Sequence, residues 1–120
     1  MSAPRDFLDS LHDIEEAIAK IQQFTVGLRR EDFESDDKTT YAVVRAFEII
    51  GEAARRIPES IRSANPSVPW REMMAMRNVL IHDYTGVSLA VVWKTIEEDL
   101  PQLKERVSQM IQQHSDSDPS

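Results

Sequence analysis

At 120 residues, the chain is long enough to bury one hydrophobic core and short for two domains of ordinary size. It has no cysteine, which excludes disulfides, thiolate metal sites and thiol catalysis. No run of about 18 apolar residues occurs, so the sequence predicts neither a transmembrane helix nor a signal peptide, and we expect a cytoplasmic protein. The predicted helical domain covers residues 1–113, and residues 114–120 are predicted to form a flexible polar tail.

The charge is unevenly distributed along the chain. Net charge is −7, with 21 acidic residues against 14 basic ones. Proteins that hold nucleic acid mainly by neutralising phosphates are usually basic, so this composition argues against broad, non-specific nucleic-acid binding. Many arginines nevertheless fall in the middle third of the chain, which is compatible with a local cationic site. They are Arg45, Arg55, Arg56, Arg62, Arg71 and Arg77.

The N-terminal part of the chain predicts one amphipathic helix followed by a charged loop. Apolar residues recur every three or four positions over residues 4–25, as they do on one face of a helix. Residues 28–38 are dense in charge and lack that period, so we predict a surface loop there. Within the loop, Phe33 is the expected anchor to the core, and Asp36 or Asp37 is placed to cap the helix that follows.

A second helix is predicted over residues 38–57, and Pro58 ends it. Its apolar face is broad and includes Tyr41, which indicates burial against more than one neighbour. Its opposite face carries acidic and basic residues three and four positions apart, which predicts local ion pairs. Gly51 lies inside this helix at a cost of about 1 kcal/mol relative to alanine. We therefore expect another helix to approach closely at residues 51–54.

The second half of the chain predicts two further long helices. Residues 58–64 suit a short helical turn, and Pro69 opens a third helix that ends at residues 85–86. A fourth apolar stripe covers residues 88–110, and Pro101 should kink or split that helix. No alternating strand pattern occurs, so the sequence predicts an all-α, up-down bundle of four to five helices.

The third predicted helix carries polar side chains in an apolar segment. Arg77 and His82 are five positions apart, which places them about 140° apart around a helix of 3.6 residues per turn. From one regular helix they cannot both face the same small target. They can do so if the last turn unwinds, or if a second copy of the segment faces the first. A symmetric dimer about this helix would bring two arginines and two histidines into one cleft.

An arginine and a histidine together suit the metal-independent cleavage of RNA. Histidine titrates near neutrality, so His82 can take a proton from a 2′-hydroxyl or give one to a leaving 5′-oxygen. Arg77 offers a planar set of donors to a phosphate whose charge grows in the transition state. We expect no metal or other cofactor, because the chain lacks His-x-His and Glu-x-x-His pairs and cysteine. The structural alternative is a polar network that fixes the core.

This segment also resembles a known motif. Three of its residues stand at the fixed positions of the R-x4-H-x-Y motif of HepT-like proteins, a branch of the HEPN-domain proteins. They are Arg77, His82 and Tyr84. Residues 45–54, with their Gly-Glu-Ala core, resemble the second-helix block of the same family. The similarity spans roughly residues 6–112, which is nearly the whole chain.

The resemblance implies a fold, an activity and partners. It implies a HEPN-like helical homodimer formed through the motif helix, and an endoribonuclease toxin of a prokaryotic toxin–antitoxin pair that acts on tRNA or mRNA. Arg77 would stabilise the phosphate and His82 would be the general acid–base. The cognate antitoxin of such a toxin is a minimal MNT-type nucleotidyltransferase. It neutralises the toxin by transferring AMP to the motif tyrosine, here Tyr84.

Two supporting residues and one alternative function complete the prediction. Asn78 lies four positions before His82 on the same helix face and is a candidate substrate-binding residue. Glu52, in the Gly-Glu-Ala block, either orients Arg77 or His82 or forms a surface ion pair with Arg56. The alternative function is a non-catalytic module that binds a nucleotide or a substrate for the nucleotidyltransferase.

Overall fold

The computed structural model describes residues 7–82 and 89–116, including all of their side chains except those of His82, Ser115 and Asp116. These two ranges of chain contain seven α helices and one π-helical turn. The helices are α1 (Phe7–Thr25), α2 (Arg30–Ser35), α3 (Asp37–Arg56), α4 (Glu59–Ala64), α5 (Trp70–His82), α6 (Leu89–Lys94) and α7 (Leu100–Asp116). The π-helical turn, Thr95–Asp99, joins α6 directly to α7. No strand occurs in the described ranges, and the predicted all-α class is confirmed.

Helix α3 is the centre of the bundle. It packs against α1 on one side and against α5 on another, while α7 packs on α1 and the short α2 contacts α3 and α6. Between these helices lies one apolar core, and burying it supplies most of the favourable free energy of folding. Its largest fully buried side chains are those of Leu11, Ile14, Ile18, Ile21, Phe33, Val43, Ile50, Ile57, Leu80, Leu100, Val92 and Val107. None of the described helices is both long and apolar enough to cross a membrane.

The second predicted helix is observed as α3, with bounds one residue from those expected. The ion pairs expected on its outer face are present, between Arg45 and Glu48 at 3.3 Å and between Arg56 and Glu52 at 3.4 Å. Tyr41, assigned to the apolar face, is instead exposed. A tyrosine tolerates such a position because its hydroxyl end can stay in water.

The predicted loop at residues 28–38 is wrong in its middle, because α2 forms there. The Asp32 side chain accepts a hydrogen bond from the backbone N–H of Arg29, which satisfies a free donor at the start of the helix. Phe33 is fully buried, as expected of an anchor, and its ring packs on Trp93 with centroids 5.3 Å apart. Asp36 is the cap of α3, since its side chain accepts from the backbone N–H of Thr39.

The regular α-helical pattern of the last helix is interrupted just before Pro101, but the chain stays helical there, so the helix is widened rather than split in two. A proline inside a helix removes one backbone hydrogen bond, and its ring clashes with the carbonyl four residues earlier. The chain widens just before Pro101 into the π-helical turn, where the Leu100 N–H donates to the carbonyl of Thr95 instead. The apolar stripe continues through the widened turn, because Ile96 and Leu103 are both buried.

The last helix extends further than the sequence indicates. Helix α7 runs to Asp116, so residues 114–116, which we assigned to the tail, are helical. The His114 ring meets the Phe7 ring edge to face, with centroids 4.7 Å apart, and this contact holds the final turn against α1. Residues 117–120, the predicted helix end at residues 85–86 and the start of the fourth helix at Ser88 lie outside the described residues.

The close helix approach expected at Gly51 is present. A Cβ atom added there would overlap the Cβ of Arg77, and would lie 2.8 Å from the Met73 carbonyl oxygen and 2.9 Å from the Arg77 Cγ. Only a residue without a side chain therefore lets α5 lie this close to α3. The packing gained by this close approach offsets the unfavourable helix propensity of glycine.

Replacing Gly51 with alanine should destabilise the protein. Overpacking a core costs about 1–3 kcal/mol, and here the obstacles are backbone and Cβ atoms that cannot rotate away. The better helix propensity of alanine returns only about 1 kcal/mol. Urea denaturation of Gly51→Ala measures the net loss, and Ala42→Gly in the same helix calibrates the propensity. A Gly51→Ala protein as stable as the parent would contradict the close approach.

Candidate functional site

The contact at Gly51 sets the position of Arg77. The start of the Arg77 side chain lies directly over the α3 backbone, so its guanidinium group emerges beside the next residue of α3, Glu52. Arg77 Nη2 and Glu52 Oε2 are 2.9 Å apart, with side chains 25% and 28% exposed respectively. An ion pair that is mostly shielded from water is screened less by salt than one on the open surface. The structure thus brings together Arg77 and Glu52, from two predicted blocks.

The hydrogen-bonding capacity of this pair is not fully used. Arg77 Nη1 donates to the Asn78 side-chain oxygen at 3.2 Å. Arg77 Nε and Glu52 Oε2 are both buried, and among the described residues neither has a hydrogen-bond partner. The pair is therefore held mainly by charge.

Glu52 is shared by three arginines. Its Oε1 lies 3.2 Å from Arg55 Nη2 and 3.4 Å from Arg56 Nη2, while its Oε2 faces Arg77. The hydrogen bond from Arg55, together with the charges of all three arginines, holds the pKa of the Glu52 carboxyl below its usual value, although partial burial acts in the opposite direction. Two contacts were predicted as alternatives for Glu52, one with Arg77 and one with Arg56, and the structure contains both.

The remaining candidate residues are described to different extents. Asn78 is exposed next to Arg77 on α5. His82 is the last residue of α5, which is helical from Trp70 onward, but the His82 side chain lies outside the described residues. Tyr84 lies entirely outside the described residues. Val79 and Ile81, between Arg77 and His82, are exposed apolar residues.

Sequence reasoning missed Arg55 as part of this cluster. Its signal was available, because Arg55 lies three positions after Glu52 on the same helix, a spacing at which side chains meet. The pairing of Arg56 with Glu52, four positions apart, was expected. That expectation did not indicate that the same carboxylate also pairs with Arg55.

Neither Arg77 nor Glu52 lines the apolar cavity between their two helices. That cavity, of about 330 Å³, lies between α3, α5 and the region of the π-helical turn. Its apolar walls include Phe47, Met73, Met76 and Leu103. Arg77 does not line it, so this cavity is not part of the candidate site. In residues 7–82 and 89–116, no three His, Asp or Glu side chains are grouped closely enough to hold a metal ion.

Comparison with known proteins gives consistent matches. Residues 14–110 match the family described as "Ribonuclease HepT-like". The chain is 52% identical to the "Probable ribonuclease HepT" of Thermococcus cleftensis, over 83% of this chain and 91% of that protein. It is 42% identical to a "Putative RNase" of Methanocaldococcus jannaschii, over 86% of this chain and 94% of that protein. No solved structure matches the chain.

The shared carboxylate predicts a pH-dependent contribution to stability. Near neutral pH, Glu52→Gln should lower the free energy of unfolding by about 1 kcal/mol. Because the pKa of Glu52 is lower in the folded chain than in the unfolded one, this contribution is complete above the unfolded value, about 4.3. It is lost as the pH falls through the lowered folded value.

Urea denaturation of the parent and Glu52→Gln proteins over a series of pH values tests this expectation. Glu48→Gln is the matched control, since Glu48 pairs with Arg45 on the same helix and should cost less. A difference between parent and Glu52→Gln that persists unchanged into acid would show that the loss came from packing rather than from charge.

Proposed function

Because the chain belongs to the ribonuclease HepT-like family, we propose that it is the toxin of a prokaryotic toxin–antitoxin system and acts as a metal-independent endoribonuclease. The observation that carries the proposal is the position of Arg77, which the contact at Gly51 and the charge of Glu52 hold at the surface of α5. The family match and the names of the relatives support ribonuclease activity. We further propose that the protein works in the cytoplasm.

The proposed reaction is attack of an RNA 2′-oxygen on the adjacent phosphorus. A histidine takes the 2′-hydroxyl proton, the bond from phosphorus to the 5′-oxygen breaks, and a protonated histidine gives the leaving oxygen its proton. The products are a 2′,3′-cyclic phosphate and a free 5′-hydroxyl. His82 supplies the proton transfers, Arg77 stabilises the charge on the phosphate oxygens and Asn78 binds the substrate.

The proposed active unit is a homodimer built on α5. The helix continues through His82, so the positions of Arg77 and His82 are about 140° apart around the axis of one copy. A second copy of α5 facing the first would allow the arginine of one chain to meet the histidine of the other. The exposed side chain of Ile81, four positions after Arg77 on the same face of α5, supports a protein contact at this face.

Glu52 is the proposed positioning residue for Arg77. Its carboxylate lies 2.9 Å from Arg77 Nη2, which restrains the guanidinium group. An arginine held in place before the substrate binds loses less side-chain freedom on binding a phosphate.

Regulation is proposed to act on Tyr84. A cognate MNT-type nucleotidyltransferase would transfer AMP from ATP to the Tyr84 hydroxyl and release pyrophosphate. Tyr84 follows His82 by two residues, so the added AMP would lie close to the general acid–base. Its bulk and negative charge would then exclude the RNA.

Arg77→Ala and His82→Ala should each abolish cleavage of RNA in the presence of a chelator. Loss of a general acid–base costs about 10²–10⁴-fold in rate, and loss of a donor to the developing charge costs about 10²–10³-fold. Gel analysis of a labelled RNA measures the rate, and end-group analysis should find the cyclic phosphate.

Two matched variants control for non-specific damage to the fold. Arg71→Ala removes an exposed arginine from the same helix, and His12→Ala removes an exposed histidine from α1. Both should cleave RNA like the parent. Retained cleavage in both Arg77→Ala and His82→Ala would defeat the assignment. Tight nucleotide binding dependent on Arg77, without any cleavage by the parent, would favour the non-catalytic alternative.

Incubation with the cognate nucleotidyltransferase and ATP should add the mass of one AMP residue to the peptide that contains Tyr84, and cleavage should stop. The Tyr84→Phe protein should gain no mass and should still cleave RNA in the presence of the nucleotidyltransferase and ATP. Tyr41→Phe is the control, because Tyr41 is the other tyrosine of the chain and is exposed. An AMP group found on a different residue would remove the proposed role of Tyr84.

A further inference from the structure

The last turn of α3 presents two arginines that the proposed reaction does not use. Arg55 and Arg56 contact Glu52 through one nitrogen each, and their side chains remain 63% and 51% exposed. A guanidinium group has five N–H donors, so each keeps most of its donors toward solvent. Because all three guanidinium groups contact one carboxylate, Arg55 and Arg56 lie directly beside Arg77.

The charge balance around Glu52 is unusual for this protein. Among the described residues, three guanidinium groups share one carboxylate there, which leaves an excess of two positive charges. The chain as a whole carries a net charge of −7. The excess is therefore local, and it lies on the surface that contains the candidate site.

The chain offers an internal comparison in its other pair of adjacent arginines. Arg29 and Arg30, at the start of α2, are also exposed, but carboxylates outnumber them. Arg29 lies near Glu31 and Asp32, and Arg30 pairs with Glu34. That pair is electrically neutralised, and it lies on a different helix from the Glu52 cluster. The two arginine pairs are thus alike in sequence and exposure and differ in net local charge.

We infer that Arg55 and Arg56 bind the phosphates of single-stranded RNA that flank the scissile phosphate at Arg77. This inference rests on the proposed function. An acidic protein repels a polyanion at long range, so RNA must be held by a local excess of positive charge. Arginine suits this task because its planar donors match phosphate oxygens in pairs. A single strand suits the site because its backbone is free to bend along the α3–α5 surface.

The test measures how RNA affinity depends on salt. The full-length His82→Ala protein binds a fluorescent single-stranded oligoribonucleotide without cutting it, and anisotropy gives the affinity over a series of salt concentrations. Each phosphate contact on a single strand contributes about 0.7 to the slope of log affinity against log salt. Adding Arg55→Gln and Arg56→Gln should reduce that slope by about 1.4. Arg29→Gln with Arg30→Gln should leave it as in the parent.

Activity provides a second readout with the His82-containing protein. The Arg55→Gln, Arg56→Gln variant should raise KM for a long RNA more than it lowers kcat, because the flanking contacts bind substrate rather than take part in bond breaking. Arg55→Lys with Arg56→Lys keeps the charge and should recover most of the salt slope.

Several outcomes would overturn the inference. An unchanged slope with a lower melting temperature would mean that the two arginines serve only the end of α3. A lower kcat with an unchanged slope would mean that they act through Glu52 on Arg77. A parent protein that neither binds nor cleaves RNA would overturn the proposed function and this inference together. If the parent binds RNA without cleaving it, and the Arg55→Gln, Arg56→Gln variant reduces the salt slope, the proposed ribonuclease activity is overturned and the binding site is supported.

Discussion

The contact between Gly51 and Arg77 is the constraint on which the rest of the site depends. Because Gly51 has no side chain, the backbone of α5 lies against α3 at Met73 and Arg77. That spacing decides where the Arg77 guanidinium emerges, and the next residue of α3 is the carboxylate that meets it. A single residue without a Cβ thus links the packing of two core helices to the electrostatics of the surface between them.

That surface carries an excess of positive charge, whereas the chain as a whole is negatively charged. A carboxylate shared by three arginines is strongly held in its charged form, which is the cause of its lowered pKa. The same sharing leaves a positive excess on an acidic protein. Net charge therefore does not describe the charge of every surface of this protein.

Local patterns predicted much of the fold. The periodicity of α1 and α3, the stop at Pro58 and the interruption before Pro101 depend on interactions within a few residues of chain, so they can be read from sequence. Phe33 was identified as an anchor from its apolar side chain, but its partner Trp93 lies far along the chain. Predictions from local pattern were wrong for a helix too short to show a period and for a helix end held by a distant residue. Helix α2 has no apolar period because only Phe33 is buried in it, and α7 is prolonged by a contact between His114 and Phe7 at opposite ends of the chain.

The sequence by itself determined that the chain is helical, that Gly51 must meet another helix, and that Arg77, His82 and Tyr84 form a recognisable motif. Each follows from backbone propensity, from the absence of a Cβ or from residue spacing. Only the tertiary structure decided that the helix meeting Gly51 is α5, that the residue over it is Arg77, and that Glu52 joins Arg77 to Arg55 and Arg56. Those pairings arise from how two helices dock, a choice set by the whole core rather than by any local stretch of chain.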